Sequence, residues 1–190
     1  MWLHRVKQEY GERLDITWKH FSLEQGNSKN GSEWKVWEQP DTYKSKSLVA
    51  LRAGEAARRQ GMEAFERFHL ALLTARHGGN GRISLDQTGP LVAVAGDAGL
   101  DASRLREDMG DRGLLDNIAR DHTEAVERLG VFGTPTFVFD NGGAAYLKSF
   151  IPPQEDSVAF FEHFVAIVAQ RQYVGELKRP QPPWPKGALE

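Results

Sequence analysis

The 190-residue sequence contains no cysteine. Thiolate catalysis, disulfides, Cys-ligated zinc and iron–sulfur clusters all need sulfur that these residues do not supply, so none belongs to the chain as written. No apolar run approaches the roughly 18 residues of a membrane span, and Met1-Trp2-Leu3-His4-Arg5-Val6-Lys7 lacks the apolar stretch of a secretory signal. The expectation is a cytoplasmic chain with no membrane partner. Neither sign of charge dominates: 24 Lys and Arg against 26 Asp and Glu leave −2, with the basic residues scattered, so nucleic acid is not an expected partner.

At this length a folded chain hides roughly 70% of the surface its unfolded form exposes, and 40% hydrophobic residues suffice for a core without staples. Trp2, Leu3, Val6 and Tyr10 recur at helical spacing and Gly11 stops them, which predicts a first helix. Leu14 to Phe21 alternates, with β-branched and aromatic members, and reads as a strand. Residues 24 to 46 are rich in Gly, Asn, Ser, Pro40 and Asp41 and read as a surface loop that Trp34 and Trp37 pin. From Ser47 to Gly130 the pattern is helical in five segments. The first ends at Gly61; the second carries Phe65, Phe68, Leu72 and Leu73; the third opens near Pro90. Asp101 is the expected N-cap of the fourth, and the fifth runs from about Arg112 to Leu129. Thr136 to Phe139, the Asp140-Asn141-Gly142-Gly143 turn and Ala145 to Phe150 form a β-hairpin, and Pro152-Pro153 opens a last amphipathic helix. Pro180, Pro182, Pro183 and Pro185 make the end an extended tail.

Several groups carry only structural readings. His4, His20, His69, His77, His122 and His163 include one helical pair with an acid, Glu66 and His69, but no second pair at zinc spacing, so no metal and no cofactor is expected. Gly78-Gly79-Asn80-Gly81 lacks the strand before and the Lys-Ser/Thr after that a phosphate loop requires. Phe160, Phe161 and Phe164 read as core. Asp108, Asp111, Asp116 and Asp121 read as a solvated helix face.

The most specific stretch is Glu127-Arg128-Leu129-Gly130-Val131-Phe132-Gly133-Thr134-Pro135-Thr136-Phe137-Val138-Phe139. A proline directly before an apolar strand is unusual, because proline cannot donate to a ladder. The stretch resembles the cis-proline loop of the thioredoxin fold, in which a helix ends, a Gly-X-Pro loop turns, and a hairpin and a final helix follow. With the position of the helical insertion, the Glu9 to Leu23 segment and Ala98-Gly99-Leu100-Asp101, the chain is similar over nearly its whole length to the DsbA-like branch. Within that branch it resembles the group of FrnE-type proteins, 2-hydroxychromene-2-carboxylate isomerases and kappa-class glutathione transferases.

The resemblance implies an α/β chain: a thioredoxin-like fold with an inserted helical subdomain and its first strand missing. It implies core at 1–46 and 111–175, the insertion at 47–110, and a Pro-rich tail at 176–190. Family members place a strand running into Cys-x-x-Cys, or a Ser variant, ahead of the first helix, and this sequence starts after that point. The activity implied is that of a thiol-disulfide oxidoreductase-type protein whose redox cysteines are absent here, so that no catalytic residue is assigned and the chain itself is redox-inactive. The Thr134–Pro135 bond is expected to be cis. Phe132, Gly133, Thr134 and Pro135 are the implied substrate-binding residues, for a thiol-containing peptide or a low-molecular-weight thiol; a capping or packing hydroxyl accounts for Thr134 equally well. A glutathione-dependent transferase or isomerase and a non-catalytic peptide-binding module stay open as alternatives, as does a homodimer.

Overall fold

The computed structural model describes residues 1–78 and 82–177. The chain divides into two compact units, one formed by Met1–Thr17 with Thr134–Glu190, the other by Trp18–Gly133. The end of the Gly78 to Gly81 stretch and the prolines of the tail lie outside the described residues.

In the first unit, α1 (Trp2–Tyr10) packs on α8 (Ser157–Val168), and an antiparallel hairpin of β1 (Thr136–Val138) and β2 (Ala144–Tyr146) completes it. The helical spacing of Trp2, Val6 and Tyr10 puts these side chains on one face. Val6 is fully buried, a burial that contributes about 1.5–3 kcal/mol. The contact is otherwise aromatic: Trp2 meets Phe160 edge-on at 5.1 Å between ring centroids, Tyr10 meets Phe161 at 5.9 Å, and Phe137 meets Phe164 at 4.9 Å. Polar ties flank it, from Arg5 Nη1 to the Pro152 carbonyl at 3.1 Å and from the Tyr10 hydroxyl to Glu162 Oε1 at 2.8 Å. α1 stops because Gly11 takes φ +57°, a conformation that favours glycine.

The hairpin pairs Thr136 with Tyr146, Phe137 with Ala145 and Val138 with Ala144. Gly142 turns it at φ +84°. Gly143 serves differently: a Cβ there would lie 2.5 Å from the Val168 carbonyl oxygen and 3.0 Å from Ala169 Cα, so the hairpin closes on the end of α8 only because the side chain is absent.

The second unit is helical. α2 (Leu23–Gly26) is short; α3 (Leu48–Arg58), α4 (Met62–His77), α5 (Thr88–Asp97), α6 (Ala102–Asp108) and α7 (Leu114–Glu127) are the five segments the sequence pattern predicts. Asp101 caps α6, its carboxylate accepting the Arg104 amide. Pro90 sits in the first turn of α5, where an N–H has no intrahelical acceptor. α3 to α6 enclose a core that includes Phe65, Phe68, Leu91 and Leu105, with Trp18 packed against it. A second cluster joins Val36, Leu48, Leu115 and Ile118, flanked by Trp34 and Trp37. These tryptophans pin a stretch that the sequence reads as plain loop and that contains α2 and a 3₁₀ turn at Val36–Glu38.

One expected element differs. Leu14 to Phe21 belongs to no sheet among the described residues; the hairpin is the sheet they contain. From Leu14 to His20 its side chains nevertheless alternate between half-buried or buried and exposed, an alternation that ends at the half-buried Phe21, and Leu14 and Ser22 are extended. The period-two signal is a property of the backbone and of one apolar face, and both are present. A ladder additionally needs a neighbouring strand, which side-chain periodicity does not encode.

Candidate functional site

α7 ends at Glu127, and Gly130 at φ +64° releases the chain into the loop that precedes β1. The amides of Gly130 and Val131 bond back to the carbonyls of Val126 and Ala125, which fixes where the loop starts. The four residues implied by the sequence are consecutive, but the division between the units falls between Gly133 and Thr134. In the second unit Phe132 is 77% exposed and Gly133 is buried. In the first unit Thr134 and Pro135 are exposed and the bond between them is cis. The Leu147 amide donates to the Pro135 carbonyl at 3.1 Å, continuing the hairpin pairing back to the proline. The loop thus presents an exposed Thr-Pro dipeptide on a hydrogen-bonded base. It contains no ionisable side chain, so it can bind and orient but not transfer a proton.

The chain's densest polar geometry lies elsewhere, inside the second unit. His20 Nε2 donates to Glu55 Oε1 at 2.6 Å, Asn117 Nδ2 donates to Glu55 Oε2 at 2.8 Å, and Arg58 Nε stands 3.2 Å from Oε1. Both His20 and Glu55 are buried. Burial pushes the Glu55 carboxyl up, but the hydrogen bonds from His20 and Asn117 and the Arg58 charge outweigh it, so the group sits below the ordinary carboxylate range. A carboxylate held ionised and saturated with donors is a poor general acid near neutrality; this cluster ties Trp18–Ser22 to α3 and α7. Glu24 forms a second anchor, accepting from the hydroxyls of Tyr43, Ser45 and Ser47 and from the Lys46 amide. Ser45 in turn accepts the amides of Ser47 and Leu48 at the start of α3. Burial raises the Glu24 carboxyl, and these donors more than offset it.

One sequence reading changes here. Asp121 is not on a solvated face: it is 5% exposed, with Lys19 Nζ on one oxygen at 3.2 Å and the His20 amide on the other at 3.1 Å. It falls at helical spacing within Leu114, Ile118, Asp121 and Ala125, all buried, and that spacing was the available signal. Asp108 and Asp111 pair with Arg59, and Asp116 is exposed. The His20–Glu55–Asn117 cluster has no sequence signature, because its members are brought together by tertiary packing across 35 and 62 positions. His69 stacks on Phe65 and meets the edge of Trp18 at 4.4 Å; burial there pushes it down to about 4. Among the described residues no three His, Asp or Glu side chains converge as metal ligands. No helix among them is long and apolar enough to cross a membrane.

Compared with known families, residues 1–166 match the one described as DSBA-like thioredoxin domain. No curated protein sequence matches the chain.

Proposed function

Because the chain belongs to the DSBA-like thioredoxin domain family, we propose that it is a thiol-disulfide oxidoreductase-type protein whose redox cysteines are absent from these 190 residues, which supply the binding loop. The observation that carries this reading is a family match over 166 residues that contain no cysteine. Disulfide exchange needs an attacking thiolate, so the 190 residues alone do not exchange disulfides. In this reading Phe132, Gly133, Thr134 and Pro135 hold an extended thiol-containing peptide or a small thiol, the Thr134 backbone pairing with it as an added strand does. The protein acts in the cytoplasm and falls in the branch of FrnE-type proteins, chromene-carboxylate isomerases and kappa-class transferases.

The complete absence of cysteine also favours a second reading, a glutathione-dependent transferase or isomerase in which a hydroxyl rather than a cysteine holds the thiolate. The coding sequence upstream of Met1 separates the two: Cys-x-x-Cys supports the first, a lone Ser the second. The direct test is reduction of insulin by dithiothreitol with mass-verified chain. The expected rate equals the buffer control, and a rate above it overturns the proposal. Titration with glutathione and with an extended cysteine peptide, followed by amide shifts at Phe132 and Thr134, tests the loop; unchanged shifts at millimolar ligand remove its binding role.

A further inference from the structure

In an extended chain the N–H and C=O of one residue point to the same edge, and those of the next residue to the opposite edge. Trp18, His20 and Ser22 therefore share one edge of their segment. Each has a side-chain partner there: Arg58 Nη2 donates to the Trp18 carbonyl at 2.6 Å, the His20 amide donates to Asp121 Oδ2 at 3.1 Å, and the Ser22 amide donates to His122 Nδ1 at 3.1 Å. All six residues lie within the second unit.

We propose that Arg58, Asp121 and His122 form a side-chain seal that takes the place of a neighbouring strand along this edge, holding the segment extended and filling the edge before any strand can add to it. Amides two positions apart on a strand are separated by about 6.6–6.8 Å, and the neighbours Asp121 and His122 on α7 supply acceptors to two such amides in succession. Both acceptors are buried and fixed in place. Lys19 Nζ holds the second Asp121 oxygen, and the His122 ring lies against Phe21 at 4.6 Å and Trp37 at 5.3 Å. An acceptor at Nδ1 requires the neutral ring. Burial, and then the Lys35 charge, keep His122 below its ordinary value. Arg58 is braced by Glu55 and lies over the Phe65 ring at 4.3 Å. Unpaired strand edges invite association, and natural proteins cover them; here polar side chains do so one bond at a time. The inference does not depend on the function proposed above.

Amide hydrogen exchange by NMR on the full chain tests it. The expected pattern has period two: the His20 and Ser22 amides exchange slower than Lys19 and Phe21 by roughly ten-fold, once intrinsic rates are divided out. Equal protection of all four amides overturns the proposal, and so does fast exchange at His20 and Ser22. His122→Phe keeps a ring between Phe21 and Trp37 but removes the acceptor, so Ser22 should lose its protection while His20 keeps it. Asp121→Ala should do the reverse, and Asp121→Asn, which restores an acceptor, should rescue it. Ser22 protection that survives His122→Phe overturns the seal. If a variant does not fold, the wild-type pattern decides.

Discussion

Replacing Glu55 with alanine is the sharpest test of what holds the second unit together. The variant removes a buried carboxylate that His20, Asn117 and Arg58 all address, leaving a ring N–H and an amide without their acceptor and a guanidinium without its counter-charge. Breaking a buried pair from one side costs about 3–5 kcal/mol, because the remaining groups keep their desolvation penalty. For a chain of this size each kcal/mol moves the melting temperature by about 2–4 °C, so Glu55→Ala should melt roughly 6–20 °C below the wild type. Glu55→Gln retains an acceptor and should fall between them. The sign of the pH dependence follows from the depressed carboxyl. The native state binds its proton less readily than the unfolded chain, so the stabilisation is present above the ordinary carboxylate value near 4.3 and fades as pH drops through the native one. Thermal denaturation of both chains at pH 7 and in steps down to pH 3 should show the gap closing on acidification. A gap at neutral pH below about 1 kcal/mol would refute the reasoning, since that is the scale of an exposed pair.

Gly143→Ala drives a methyl against the backbone of Val168 and Ala169, which cannot rotate away, and should cost about 1–3 kcal/mol in chemical denaturation. Wild-type stability in that variant would mean that the hairpin does not close on α8 there. The His69 ring should titrate by NMR with a midpoint near 4, and a midpoint near 6.5 would show that its site is wet. Because this histidine is harder to protonate when folded, its contribution to stability is complete above about 6.5 and declines as pH falls towards 4.

Local chemistry made much of the fold legible. Asp101 as a cap, Gly11 and Gly130 as stops, Pro90 in a first turn and the Asn-Gly turn each act within a few residues, and each stands where its chemistry requires. The position of the Thr134–Pro135 loop between a helix and an apolar strand was legible for the same reason. What escaped depends on partners far along the chain. The alternation of Leu14 to Phe21 describes one face, whereas whether its amides meet a strand or the side chains of α7 is settled about a hundred residues later. Asp121 looked like surface because a charged residue on a buried stripe is uncommon, and only the amide and ammonium waiting for it make the position tolerable.

The first unit is assembled from the two ends of the chain, with Tyr10 bonded to Glu162 across 152 positions. On the ribosome, at about 5–20 residues per second, α1 emerges roughly 8–30 s before the α8 rings that meet Trp2 and Tyr10 have been made. The second unit is contiguous and can form during that wait. For the whole interval the apolar stripe of α1 is an uncovered segment of the nascent chain. The speed of translation through 18–156 therefore sets how long this segment stays exposed to the rest of the cell.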